Sequence, residues 1–481
     1  MVCSQGKYFI CNSNIDNIFS ILLGNGNLIM VKRTAGILIL GIIINLLLAT
    51  SFSFAQGDNY VSSSSEKLSL KKCLEIASQK NQDIERARYV TAEMEAESRS
   101  ARGRFGPLVR LEANAVSWDS PFGLAVNLPL PGMAITPEIQ VRDKNTTQYS
   151  ATIVQPITGL WTAYAGYKAQ ASALKASQFQ EKATKNDAVF AVTDAYIQAL
   201  ESQRMVSIAE AGFKVIEAHT AKARRFFENK LIARNDVLAA EVRKAEAKGQ
   251  LIQAEGGARL ARANLSYQIG LPSDKEIWPE ELNIKLLSDN AGSSCDPEQR
   301  PELAVIRLRI EQANAVESAA RSRMLPEINA IFKWQASNGL YIEPDKAWMG
   351  GVLLSWNIWD WGSTYYGLNA AQARVVQAKS AQIKAKEGMR LEILQAKIEL
   401  DTSRSQLDVT SGAVAQAEMN LESVQRRFDV QSIGSTDVLD AQVLLDRARF
   451  NESRAKYSIS RAYVKLRRAQ GLDPVPSEGS N

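Results

Sequence analysis

Two stretches of the chain carry apolar and small residues at alternating steps of three and four for more than five heptads. One runs Ala188, Val192, Ala195, Ala199, Ser202, Val206, Ala209, Phe213, Ile216, Thr220, Ala223, Phe227. The other runs Met389, Ile393, Ala396, Leu400, Ser403, Leu407, Thr410, Val414, Ala417, Leu421, Val424, Phe428. This is the seam of a coiled coil, and its many small residues predict close helix approach. No breaker interrupts either run back to about Trp161 or Trp361. The pattern therefore predicts two helices of about 65–70 residues, each roughly 100 Å long at 1.5 Å per residue. A short polar break follows each seam, and Asp-Val-Leu (Asp236-Val237-Leu238 and Asp437-Val438-Leu439) opens a shorter heptad run. Phe227–Glu241 and Phe428–Gln442 thus read as the bends of two long helical hairpins. Asn235 is expected to cap the first return helix, with Asp236 at its positive end. Gly270-Leu271-Pro272 and Gly471-Leu472-Asp473-Pro474 stop the two return helices.

Elsewhere the period changes to two, the signature of a strand. Leu111, Ala113 and Ala115 alternate with Arg110, Glu112 and Asn114; Ile328, Ala330, Phe332 and Trp334 alternate with Glu327, Asn329, Lys333 and Gln335. Strands are expected at about 108–118, 146–156, 327–337 and 348–358, the first two joined by a Pro/Gly-rich loop over 119–145. A helix from Leu68 to about Phe105, broken near Lys80-Asn81, precedes the first pair, and a helix from Pro301 to Met324 precedes the second. The halves are duplicates: the bends lie 201 residues apart (Asp236 to Asp437), and the helix-to-strand turns 219 apart (Pro107 to Pro326). One indel of 18 residues between the strands accounts for the change of offset. The expected organisation is a first repeat over 56–272, a linker over 273–300, a second repeat over 301–474 and a tail over 475–481. The fold class is mainly α with a β part.

With 45% apolar and 23% charged residues the chain is not disordered, and a net charge of +5 argues against a dedicated nucleic-acid binder. Met30, the basic Lys32-Arg33, the apolar run Ala35–Ala49 and Ser53-Phe54-Ala55 read as a secretory signal peptide over 30–55. Residues 1–29 are expected to be an over-extended start or an untranslated leader. Cys73 and Cys295 are too distant in sequence to suggest a disulfide framework. Neither a Cys/His cluster, nor a phosphate-binding Gly loop after a strand, nor a nucleophile motif is present, so no catalytic residue, cofactor or metal is expected. The lone His219 reads as an incidental residue on the coiled-coil surface rather than as a pH sensor, the alternative for a single histidine near a bend.

An exported chain with two strand pairs and helices of this length poses a pairing problem. Four strands cannot close a barrel, and open edges are a liability. Inside a bilayer every backbone group must be paired, so the strands would need partner chains. Seven of the eight Trp lie in or beside the strands: Trp118, Trp161, Trp334, Trp348, Trp356, Trp359 and Trp361. Such Trp form interfacial girdles on lipid-facing barrels; the competing reading is that they cover a sheet-to-helix junction in a soluble core.

Over residues 66–474 the sequence resembles the TolC-like outer-membrane efflux proteins. The carriers are the duplication, the turns at Pro107 and Pro326, Val154-Gln155-Pro156-Ile157 and Trp356-Asn357-Ile358-Trp359-Asp360-Trp361-Gly362 before the long helices, and the bends ending in Asp-Val-Leu. The resemblance implies a homotrimer in which four strands per chain build one 12-stranded outer-membrane barrel and the helices form a periplasmic tunnel. It also implies docking of the bends, through Leu231, Ile232, Asp236, Val237, Leu238, Ile433, Gly434, Asp437, Val438 and Leu439, onto a periplasmic adaptor (membrane fusion) protein that joins an inner-membrane pump. The bends depart from the family: its glycine is Lys230 and Gln431 here, and its serine is Ala233 and Gly434. Acidic rings narrow the family's periplasmic end, which makes Glu418 and Glu422 gate candidates, with Arg426 and Arg427 beside them. Arg110, Glu112, Asn114, Glu327, Asn329 and Lys333 are lumen candidates. The expected function is export of small molecules or proteins across the outer membrane; the alternative is a periplasmic coiled-coil adaptor or scaffold without a pore. The adaptor should show one hairpin rather than two.

Overall fold

The computed structural model describes residues 67–125, 128–130, 133–135, 138–281, 298, 300–341 and 344–473. The expected signal segment, Cys295 and most of the linker lie outside them. The elements run β1 (Lys67–Leu68), α1 (Leu70–Lys80), α2 (Gln82–Gly103), β2 (Leu108–Ser117), β3 (Phe122–Ala125), β4 (Leu128–Leu130), β5 (Met133–Ile135), β6 (Glu138–Pro156), α3 (Gly159–Glu228), α4 (Arg234–Ile269), β7 (Trp278–Pro279), α5 (Pro301–Ser322), β8 (Glu327–Leu340), β9 (Lys346–Ser355), α6 (Ser363–Asp429) and α7 (Ser435–Ala469). No helix among the described residues is long and apolar enough to cross a membrane.

The long helices α3 and α6 have 70 and 67 residues, or about 100 Å each. Their heptad positions pack as seams: Ala188, Val192, Ala195, Ala199, Ala209, Ile216, Thr220 and Ala223 of α3 are buried, as are Met389, Ala396, Leu400, Ser403, Thr410, Leu421 and Phe428 of α6. The first seam ends differently from expectation. Phe227 is 41% exposed, while its neighbour Phe226 turns inward and stacks on Phe428 at 5.6 Å. Toward the bends α3 packs on α4 and α7, and α7 on α6; toward the strands α3 packs on α2 and α5, and α5 on α6. Both halves of the helical layer are therefore four helices wide. α6 is an edge in each; α4 and α2 are the opposite edges.

The sheet order is β2-β6-β8-β9, all antiparallel, with β3 also paired to β6. The segment expected as an irregular loop over 119–145 is corrected here. β3 pairs with the start of β6, and β6 begins at Glu138. Gly123 lies within β3 and Pro129 within β4, which pairs antiparallel with β5, so the stretch holds short strands rather than one long loop. β9 stops at Ser355, so Trp356–Ile358 lie outside it. The strand-to-helix turn after β6 is tied to the helix-to-strand turn before β8: Ile328 N–H donates to Thr158 Oγ1 (2.8 Å), Thr158 Oγ1 donates to the Pro326 carbonyl (2.9 Å), and the hydroxyls of Thr162 and Ser322 are 2.7 Å apart.

At mid-height β1 and β7 form a two-residue parallel pair beside a core of Leu70, Cys73, Val192, Tyr196, Leu265, Ile269 and Ile277. The Tyr196 hydroxyl reaches the Glu280 carbonyl at 2.7 Å. Cys73 is fully buried, and burial pushes its thiol up to about 12, so it is inert. The duplication is visible in two junctions. Asn81 accepts from the Asp83 and Ile84 amides and donates to the Gln268 carbonyl at 2.8 Å. At the matching position Arg300 donates to the Ala469 carbonyl at 3.1 Å and also to Glu302 and Glu392.

Both bends have one backbone geometry. The Leu231 amide donates to the Phe226 carbonyl (2.8 Å) and the Ser432 amide to the Arg427 carbonyl (3.0 Å), each closing over a left-handed residue, Lys230 and Gln431, both at φ 61°. This is the Schellman ending, which favours glycine. Side chains thus occupy two left-handed positions that glycine would fill without strain. We expect Lys230→Gly and Gln431→Gly each to raise stability by up to about 1 kcal/mol. A rise in the thermal midpoint followed by circular dichroism would check this. The expected cap at Asn235 is a correction. The residue before α4 is Ala233, without a side-chain cap, and Asn235 lies inside the first turn. The second return helix is better closed, because the Asp437 carboxylate accepts from the Gly434 amide at 3.2 Å.

Candidate functional site

Two features can do work on another molecule: the sheet with its two faces, and the tips of the hairpins. In an antiparallel sheet directly opposed residues point to the same side. Arg110 opposes Thr152, which opposes Lys333; Glu112 opposes Ser150, which opposes Gln335. Asn114, Asn329 and Glu327 fall on that same side by register. All six residues expected at a lumen therefore share one face. Within it Ser150 Oγ donates to Glu112 at 3.4 Å, and Asn329 donates to Glu327 at 3.1 Å. Leu108, Met349 and Leu353 interrupt this polar face. The other side carries Val109, Leu111, Ala113, Ile153, Phe332, Trp334, Trp348, Val352 and Leu354.

Among the described residues that apolar side has nothing on it. Leu111 is 78% exposed and Trp348 72%. All ten residues of β2 are exposed. The seven Trp near the strands are exposed too, from Trp118 at 39% to Trp361 at 87%. They therefore do not cover a core inside this chain. A sheet with both faces bare and both edge strands open, β2 and β9, is not stable alone in water.

The helical layer has the same unfinished edges. α6 exposes Val376, Ile383, Leu391, Leu394, Ile398, Val409 and Met419, spaced by near-whole helical turns; α4 exposes Leu238, Val242, Ile252, Leu260 and Tyr267. The α4 stripe stands on one edge of the layer in its tip half; the α6 stripe runs along the other edge from the strand half into the tip half, as β2 and β9 flank the sheet.

At the tips the structure divides the ten bend residues. Val237, Val438 and Leu439 are buried, and Ile232 and Ile433 pack against the tip clusters. These five hold the hairpins. Leu231 and Leu238 are exposed, as are Gly434 and Asp437, and Asp236 is half-buried. Val430, 74% exposed, adds an apolar residue that the sequence pattern did not single out. The gate candidates are paired within the chain: Glu418 with Arg449 at 2.8 Å, and Glu422 with Arg426 one turn on. Arg427 is exposed. Arg224, one helix away, binds Glu241 instead.

His219 is a correction. It is not a surface residue but is 8% exposed, with Nε2 2.8 Å from Ser435 Oγ and its ring 4.9 Å from Phe428. Burial, and then the nearby Lys222, push its pKa down. A hint was available in the heptad register, since His219 adjoins the seam position Thr220. Asp446, on α7, is also held between the hairpins. Burial pushes its carboxyl up to about 6, against the pull of the Gln442 amide and of Arg449. Among the described residues no group of His, Cys, Asp and Glu is placed to hold a metal ion.

Comparison with known proteins fits this geometry. Residues 297–472 match the family described as outer membrane efflux protein. The outer membrane protein TolC of Vibrio cholerae is 27% identical over 178 residues, 37% of this chain and 40% of that protein. Protein CyaE of Bordetella pertussis is 29% identical over 172 residues, 35% of this chain and 36% of that protein. The chain thus matches about two fifths of the length of these curated relatives. The fold extends much further: the CmeC outer membrane channel of Campylobacter jejuni superposes with a TM-score of 0.70 over 89% of this chain and 92% of that one, at 16% identity. The second repeat is thus similar to the outer membrane efflux proteins, and the fold of most of the chain is that of a solved outer membrane channel.

Proposed function

We propose that three copies of this chain form a channel through the outer membrane that exports small molecules or proteins, working with a periplasmic adaptor and an inner-membrane pump. The observation that carries this reading is the two-faced sheet. Its apolar, Trp-bearing side suits lipid, its polar side suits a wet lumen, and its open edges β2 and β9 suit pairing between copies. Three four-stranded sheets then close one 12-stranded barrel, with no edge left to the bilayer. The exposed stripes on α4 and α6 support the same head-to-tail closure in the helical layer, since such an interface continues until the ring closes. A periplasmic adaptor or scaffold without a pore would have no use for bare Trp on a sheet.

Transport needs no bond chemistry. Arg110, Glu112, Asn114, Glu327, Asn329 and Lys333 line the exit, and the tips govern entry. Opening is an untwisting of the hairpins at the periplasmic end. Leu231, Leu238 and Val430, with the Asp-bearing return-helix starts, offer the adaptor two unequal surfaces per chain. The first test is assembly: a detergent-extracted outer-membrane trimer is expected, and a freely soluble periplasmic monomer would overturn the reading. The second concerns Glu418 and Glu422. Replacing both with Gln is expected to weaken cation preference in single-channel recordings. Unchanged conductance and selectivity would remove them from the gate.

A further inference from the structure

Polar residues recur every seven positions along both sides of the α3–α7 contact, in antiparallel register. Asp187 of α3 takes Arg468 of α7 at 2.7 Å, and one heptad on Asp194 takes Arg461 at 2.7 Å. A further heptad on is Glu201; burial pushes its carboxyl up, and Arg461 and Arg454 pull it back. At the next heptad position the acid is replaced by the buried Ile208, and the ladder ends. This is the principal contact between the two hairpins, and its ladder of ion pairs clamps them in the part nearer the strands; nearer the tips only exposed pairs outside this heptad register join them, Lys222 with Asp429 and Arg243 with Asp440.

Beyond the ladder the contact changes character. Asp446 fills the space beside Gly212, where a Cβ would meet its Oδ2 at 2.5 Å. Next comes His219 against Ser435, the fully buried first residue of α7. Beside the ring lies a cavity of about 310 Å³ lined in part by Lys222, Phe428, Asp429 and Gln442. The Gln442 Oε1 atom is buried there without a hydrogen-bond partner. The charged groups facing His219 are Lys222 from its own helix and Asp429 from the end of α6, and these two are paired with each other. α7 presents only the Ser435 hydroxyl and the Gln442 amide; α4 presents Ala240 and Ala247 in the adjoining apolar cluster.

We propose that His219 is a proton-operated catch: neutral, it holds the two hairpin tips together, and protonated, it lets them swing apart beyond the third rung of the ladder. An imidazolium here puts a second cation beside Lys222 where the one facing carboxylate is already engaged. A swing of the tips exposes the ring and hydrates the charge. The sign follows from the direction of the shift: a pKa below the ordinary ~6.5 means the closed tip loses stability as pH falls through that range. Asp446 titrates in the opposite sense, since a raised carboxyl pKa favours the closed form at low pH, so it opposes the catch. The meaning of the swing as channel opening rests on the function proposed above; the swing itself does not.

The test is a distance. Spin labels at Leu238→Cys and Val430→Cys, on the detergent-solubilised protein with Cys295→Ser, report the separation of the two tips by pulsed EPR. Between pH 7.5 and 5.5 the population at the longer distance should rise about fivefold or more, the low end of a single-site coupling. His219→Phe should abolish the response, His219→Lys should show the long distance already at pH 7.5, and Asp446→Asn should retain the response. An unresponsive parent protein, a His219→Phe protein that responds equally, or loss of the response in Asp446→Asn would overturn the proposal. Absence of conductance with an intact distance change would instead count against the channel.

Discussion

Arg300→Ala is expected to destabilise the protein by about 3–5 kcal/mol, the range for removing one partner of a buried charge network. The guanidinium is only 4% exposed and joins three elements: Glu302 on α5, Glu392 on α6 and the Ala469 carbonyl at the end of α7. Its loss leaves the Ala469 carbonyl and Glu302 without their guanidinium, and Glu392 with Arg468 alone. The network also has a pH signature. Burial pushes Glu302 up, but the Arg300 hydrogen bonds outweigh it and hold the carboxyl below its usual range. A depressed carboxyl contributes stability that is present above the ordinary pKa of about 4.3 and is lost as pH falls below it. Thermal midpoints from circular dichroism at pH 7 and pH 4 should therefore differ more for the parent protein than for Arg300→Ala. Equal pH sensitivity in the two would show that the network is not the source. Asn81→Ala, at the matching junction of the first repeat, removes a neutral cap and should cost only about 1 kcal/mol.

Gly270→Ala should be almost as damaging, about 2–4 kcal/mol, because two penalties coincide. The residue closes α4 in the left-handed region at φ 85°, and a Cβ there would sit 2.2 Å from the Lys80 carbonyl oxygen. Backbone cannot move aside as a side-chain end can. Gly471, the same ending in the second repeat, has φ 77°, but its Cβ would meet only Arg300 Cγ at 3.0 Å. Gly471→Ala should then cost little more than the conformational term of about 1 kcal/mol. Comparing the two midpoints checks the geometry directly: equal losses would mean that the close approach to Lys80 does not matter.

The same physics explains which features were legible in the chain. Long heptad runs announce themselves because each residue of a seam obeys one rule, so Leu400, Thr410 and Ala223 were assigned to the interior correctly. Period two was equally clear in Arg110–Asn114 and Glu327–Gln335, and it assigned every lumen candidate to one face. Local signals failed where contacts distant in sequence decide. Phe226 rather than Phe227 turns inward because Phe428 of the other hairpin waits there. Asn235 does not cap because the bend spends two residues fewer than the pattern suggested. The stretch over 119–145 looked like loop because β3 gains its hydrogen bonds only from β6.

By itself the sequence determined that there are two hairpins, that their long arms match in length and that each leads out of a strand pair, since periodicity and the repeat offset are local properties. Only the tertiary structure decided how the hairpins meet. It brought Asp187, Asp194 and Glu201 opposite Arg468, Arg461 and Arg454, more than 250 residues away in every pair, and it buried His219 against Ser435. It also showed that the seven Trp near the strands, the sheet edges and the stripes on α4 and α6 find no cover among the described residues of one chain. Those facts depend on which faces pack and which remain bare, and that is settled by the burial of all the elements together.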